Sequence, residues 1–180
     1  SWSSHRTTAE VGKIASNFAD QGYDCIKFKT DLEDDVAGWA TAIKRAAPNM
    51  KIIFDPNERW ISSAEVKTRI NALKEIGNTL CIEDPIPRWK IEEYAQIRNY
   101  SPIPVVLHVS LPYVDHGQRV HEAIRALQHQ AIDGFNFNCG LANFQKLDHI
   151  ATAAELPCWH GSEIDLGIME AMYLHSCAAA

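Results

Sequence analysis

Six short apolar runs recur along the chain, and each ends in a residue that can do chemistry. The runs are Tyr23–Lys29, Lys51–Asp55, Leu80–Glu83, Val105–His108, Gly134–Asn138 and Pro157–His160. Their final residues, Lys29, Asp55, Glu83, His108, Asn138 and His160, follow one another at steps of 26, 28, 25, 30 and 22 residues. Such a step is about the length of one strand with its crossover helix. Strict alternation of strand and helix calls for an α/β fold with a parallel sheet. Two architectures compete, a doubly wound open sheet and a (β/α)8 barrel. The sequence holds no G-x-G-x-x-G and no P-loop, which weakens the nucleotide-binding versions of the open sheet. Polar groups at the end of every strand favour the barrel, whose active site sits at that end. An open sheet needs them only near its switch point.

The stretches between the runs read as helices. Thr7-Thr8-Ala9-Glu10 is a capping box, followed by Val11, Ile14, Ala15 and Phe18 at helical spacing and closed by Gly22. A second helix covers Leu32–Ala47 before Pro48. Ser62 and Glu65 form another capping box ahead of Val66, Ile70 and Leu73, with Gly77 as the stop. Further helices are expected over Ile91–Tyr100, Gln118–Gln130, Phe144–Leu156 and Ile164–Ala178.

Alternate residues of a strand face opposite sides. If Lys29 points inward, Lys27 and Cys25 do too, and Ile26 and Phe28 face the helices. The same parity puts Asp55 above Ile53, Glu83 above Cys81, His108 above Val106 and His160 above Cys158. The opposite positions, Ile52, Phe54, Ile82, Leu107, Phe135, Phe137 and Trp159, are all apolar. Cys25, Cys81 and Cys158 then become interior filler.

Composition narrows the function. The chain has 180 residues, 46% of them apolar, and a formal charge of -6. That charge speaks against nucleic acid as a partner. No apolar run nears the roughly 20 residues that span a bilayer. The polar start, Ser1–Arg6, is unlike a signal peptide. Five cysteines at wide gaps, with no C-x-x-C, suit reduced thiols in a cytoplasmic protein.

Lys27 and Lys29, two residues apart, project into one cavity. Each cation disfavours the other, so at least one pKa is expected to fall, as a general base requires. Asp55 and Glu83 end consecutive strands, and a hard divalent ion such as Mg²⁺ would reconcile the two carboxylates. Asn57, in Asp55-Pro56-Asn57-Glu58, stands ready to extend that shell. His160 is placed to take or return a proton on the other face of a substrate carbon. Glu163, just beyond it, is a candidate pocket acid. Asp84 falls on the outward parity and reads as structural.

Lys27-x-Lys29, Asp55-x-Asn57, Ile82-Glu83-Asp84-Pro85 and Cys158-Trp159-His160 together resemble the barrel domain of the enolase superfamily, in its mandelate racemase and muconate-lactonizing enzyme branch. The resemblance runs from about His5 to Leu174. It implies a TIM-type (β/α)8 barrel present in part, as one partial domain over residues 1–180. Six β/α units match the second to seventh of the barrel; the first and last strands and the N-terminal capping domain are missing. It implies an enzyme that removes the proton α to a carboxylate with Mg²⁺ (or Mn²⁺) and passes through an enediolate. The outcome would be dehydration of an acid sugar or racemisation or epimerisation of a hydroxy acid. By position, Lys29 is one base, Lys27 touches the substrate carboxylate, and His160 is the base or acid on the opposite face. Asp55 and Glu83 bind the metal, with His108 standing where the family places a third, acidic ligand. Asn57, Asn138 and Glu163 would join Lys27 in holding the substrate. A homo-oligomer and a small carboxylate substrate are the expected partners. The rival expectation is a non-catalytic, degenerate barrel fragment that acts as an oligomeric or binding protein.

Overall fold

The computed structural model describes residues 6–109, 116–162 and 166–179. Helices and strands alternate without exception: α1 (Thr8–Asp20), β1 (Cys25–Lys29), α2 (Val36–Ala46), β2 (Lys51–Asp55), α3 (Ser63–Ile76), β3 (Thr79–Glu83), α4 (Ile91–Tyr100), β4 (Val105–Val109), α5 (His116–Gln128), β5 (Gly134–Phe137), α6 (Leu141–Ala153), β6 (Cys158–His160) and α7 (Gly167–Ala178). The chain divides into two compact units, Ser1–Val105 and Val106–Ala180.

In the first unit β1 pairs in parallel with β2, in a register that sets Lys27 beside Ile53 and Lys29 beside Asp55. Strand β2 pairs in parallel with β3, but the register shifts between Ile52 and Ile53: Ile52 faces Thr79, and Ile53 already faces Cys81. Helix α1 packs on α2, α2 on α3 and α3 on α4. The helix-facing sides of the strands bury Phe28, Ile52, Phe54 and Ile82 against Trp39, Ile43, Val66, Ile70 and Leu73. Phe28 and Trp39 meet with ring centroids 5.7 Å apart. These residues are the apolar parity set expected for the first three strands.

Local signals set the helix ends. The Thr7–Glu10 capping box is present in both directions. Ser62 accepts from the Glu65 N–H, but Glu65 turns its carboxylate to Arg69 instead of back to the cap, so that box is only half formed. Gly77 closes α3 at φ 76°, a left-handed angle that glycine takes without strain. Helix α2 starts four residues later than its periodicity suggests. Asp35 is the reason: it caps the Gly38 N–H at 2.8 Å and leaves Leu32–Asp34 in the loop.

In the second unit β4 pairs in parallel with β5, His108 beside Asn136, and β5 with β6, Asn136 beside Trp159 and Phe137 beside His160. Phe135, Phe137 and Phe144 are buried. Phe135 stacks on Phe137 at 4.9 Å, and Phe144 of α6 meets Phe137 edge-on at 6.4 Å. Helix α7 begins at Gly167, with Leu166 at its cap, later than the expected start at Ile164.

Leu73 is fully buried on α3. Leu73→Ala should therefore cost about 2–5 kcal/mol, seen in urea unfolding as a lower midpoint at unchanged slope.

Candidate functional site

Three parallel strands bring four charged side chains together at their C-terminal ends. Inward parity aims Lys27 and Lys29 of β1, Asp55 of β2 and Glu83 of β3 at one another. Asp55 and Glu83 are fully buried. Lys27 Nζ donates to both oxygens of Glu83, at 2.8 and 2.9 Å. The same ammonium lies 3.0 Å from Asp55 Oδ2. Lys29 Nζ donates to that Asp55 oxygen as well. Asp55 Oδ1 accepts the backbone N–H of Asn57 at 3.0 Å.

This geometry pulls the two carboxyls apart in acidity. Burial would raise the Asp55 pKa, but Lys27 and then Lys29 outweigh it and hold the group below its ordinary value. At Glu83 burial comes first and the charge of Asp55 second, and together they overcome Lys27 and push the carboxyl up. For Lys27 burial works against the charge, yet Glu83 and Asp55 prevail and raise its pKa. The sequence suggested the reverse for one of the lysines. At Lys27 the repulsion is overridden because the strands bring both Glu83 and Asp55 within reach of its ammonium.

The second unit holds a cluster of another kind. His108, Asn136 and Asn138 are buried. A Cβ placed on Gly161 would stand 2.6 Å from Asn136 Oδ1 and 3.1 Å from His108 Nε2, so His108, Asn136 and Gly161 share one face, and a side chain at Gly161 would press on both of the others. Asn138 Nδ2 is buried and has no hydrogen-bond partner among the described residues.

His160 does not share that face. Its ring stacks on Tyr173 of α7 at 4.0 Å and lies 5.0 Å from Phe144 of α6. Its Nε2 is 2.5 Å from the Cys139 carbonyl and its Nδ1 2.6 Å from its neighbour Gly161's. The register explains the correction: Trp159, not His160, stands beside the inward Asn136. The inward group at the end of β6 is Gly161, one residue past the strand. Cys158 follows the same flip. It donates to Asp148 of α6 at 3.5 Å and is no interior filler. Cys81 keeps its expected place, and burial pushes its thiol up to about 12.

Asn57 contributes a backbone N–H to the site; its side-chain oxygen is buried without a hydrogen-bond partner among the described residues. Glu163 lies outside the described residues. Among the described residues no group of three or more His, Cys, Asp or Glu gathers to hold a metal. None of the described helices is long and apolar enough to cross a membrane. The sequence reading passed over Arg88, whose guanidinium closes on Asp84 at 2.5 Å. The Asp-x-x-x-Arg spacing was the signal, but it lies in a loop, where a four-residue spacing implies no contact.

The model of the family described as enolase C-terminal domain-like matches residues 10–180. The chain belongs to that family. It is 27% identical over 160 residues to an L-amino acid-D/L-Glu epimerase of Francisella philomiragia, covering 85% of this chain and 43% of the relative. The solved N-succinyl Arg/Lys racemase of Bacillus cereus superposes with a TM-score of 0.83 at 22% identity, over 95% of this chain and 46% of that one. The dipeptide epimerase of Enterococcus faecalis, solved with Mg and the dipeptide L-Leu-L-Tyr, gives 0.83 at 20% identity, over 97% and 49%. The chain thus spans about half the length of these relatives. Its fold is that of their (β/α)8 barrels, represented by six β/α units.

Glu83 gives this enolase-family site a pH signature. Its pKa is raised on folding, so its ionised form costs stability once pH climbs through the unfolded value toward the folded one. With divalent ions chelated, Glu83→Gln should unfold at higher urea than wild type at pH 8. That advantage should vanish at about pH 3, below the unfolded value, where Glu83 is protonated in both states.

Proposed function

We propose that the chain carries the proton-abstracting half of a racemase or epimerase active site, acting on the carbon α to a carboxylate with Mg²⁺. The observation that supports this is the convergence of two lysines and two buried carboxylates on consecutive strand ends. The donor set suits the ion. Asp55 and Glu83 are hard oxygen ligands, fully buried, and both reach the same ammonium within 3.0 Å. Mg²⁺ is commonly held by one or two carboxylates, with water and substrate completing its shell. When bound, it would supply electrophilic stabilisation of the charge that develops on the substrate carboxylate.

The lysines divide the remaining work. Lys27, held cationic by its two carboxylate neighbours, is suited to the substrate carboxylate. Lys29 is the base that removes the α-proton; inversion then needs a proton delivered to the opposite face of that carbon by a second group. With Asp55 and Glu83 engaged by a cation, the Lys29 ammonium would share its carboxylate partner with that cation, freeing its amine to meet the substrate. His160 is not assigned a role, because its ring packs among Phe144 and Tyr173.

The epimerase and racemase relatives favour amino-acid or dipeptide substrates over hydroxy acids and acid sugars, and stereochemical inversion over dehydration. Exchange in D₂O tests the reading. L-Ala-L-Glu and mandelate, each incubated with the chain and Mg²⁺, are followed by NMR for loss of the α-proton. Exchange of the dipeptide proton is expected, with loss of at least about 100-fold in Lys29→Ala and none in His160→Phe. Exchange that survives Lys29→Ala would overturn the base assignment.

A further inference from the structure

Asp55 and Glu83 stand at the roots of two loops, residues 56–62 and 84–90, and these loops are fastened to each other. The Glu58 N–H donates to the Asp84 carbonyl at 2.7 Å, and the Trp60 N–H to the Pro85 carbonyl at 3.0 Å. The Arg88 N–H donates to Glu58 Oε1 at 2.7 Å. The Arg88 guanidinium then donates twice to Asp84 Oδ2, from Nε at 2.8 Å and Nη2 at 2.5 Å. Asp84 is fully buried.

The backbone of these loops is unusual. Asn57, Glu58, Ile61 and Asp84 take φ of 45°, 72°, 62° and 45°. None is glycine, and a β-branched residue such as Ile61 rarely adopts this region. Such angles persist where the surroundings over-determine them, and they gather at functional sites. A buried ion pair is a weak device for stability, since an apolar pair of the same volume often does as well. The Asp84–Arg88 pair is therefore better explained by what it fixes in place.

The bonds close a circuit. Asn57 holds the Asp55 carboxylate through its N–H. Glu58, next in the chain, holds the Asp84 carbonyl. Asp84 is covalently joined to Glu83. Lys27 bridges the two carboxylates from the other side.

We propose that Arg88 and Glu58 are positioning residues which clasp the two loops through Asp84 and so fix Asp55 and Glu83 at the spacing a divalent cation needs. This rests on the Mg²⁺ reading above. Support of this kind around metal ligands is commonly worth 10- to 100-fold in affinity.

Isothermal titration of the 180-residue chain with MgCl₂ tests the proposal, alongside thermal unfolding of each variant. Wild type is expected to bind. Arg88→Met should weaken binding about 10- to 100-fold. Arg88→Lys should fall between, because it keeps the charge and loses the fork. Arg88→Met takes the guanidinium away from the buried Asp84 carboxylate and risks unfolding. The double variant Asp84→Asn/Arg88→Met removes both charges and should stay folded with the same weakened binding. A double variant that melts like wild type and binds Mg²⁺ as tightly overturns the clasp. Absence of Mg²⁺ binding by wild type overturns the metal reading and the clasp with it, and it shows before any variant is made.

Discussion

One ammonium shared between two buried carboxylates governs the chemistry of the first unit. Asp55 and Glu83 have no access to water, so their charges must be answered from within the protein. Lys27 answers both, and Lys29 adds to Asp55. The shared ammonium ties the lysines to the acids as a single electrostatic object. The strands can deliver these residues only at their ends, where each inward position meets its counterpart on the neighbouring strand. Internal charge balance is thus a property of four side chains taken together.

The second unit shows a contrasting solution. Its inward polar residues, His108, Asn136 and Asn138, are neutral hydrogen-bonding groups or an imidazole, and Gly161 supplies space in place of a side chain. A face of this kind suits polar recognition more than charge stabilisation. On the helix side of the same unit, aromatic packing takes over. Phe135, Phe137, Phe144, His160 and Tyr173 form a continuous run of ring contacts.

Much of this was legible in the sequence because the period of two is a hard constraint. Lys27, Lys29, Asp55 and Glu83 were readable as one group: each ends a run whose alternate positions are apolar. Glycine and the Ser/Thr caps marked several helix ends to within a few residues, while the Asp35 cap of α2 went unread. His160 was misread for a physical reason. A three-residue strand carries too few positions for parity to be checked, and the outward slot at its end accepts an aromatic-like imidazole as readily as the inward one. Lys27 departs from the expected fall because repulsion between i and i+2 is visible in a sequence, whereas the carboxylates that cancel it arrive from strands 28 and 56 residues away. Arg88 and Glu58 escaped for a similar reason, since loop-to-loop bonds leave no periodic trace.

The slip between β2 and β3 has a large consequence for so small an irregularity. Ile52 faces Thr79 and Ile53 faces Cys81, so Leu80 is passed over and left 46% exposed. Such a bulge is uncommon between parallel strands and serves to re-aim the side chains beyond it. Carried forward from Phe54 beside Ile82, the shifted register brings Glu83 level with Asp55. Had the pairing run on unbroken from Ile52 and Thr79, the inward neighbour of Asp55 would be the apolar Ile82, and Glu83 would turn toward the helices. One surplus leucine, far down the strand from any reacting group, decides whether the two acids meet at all.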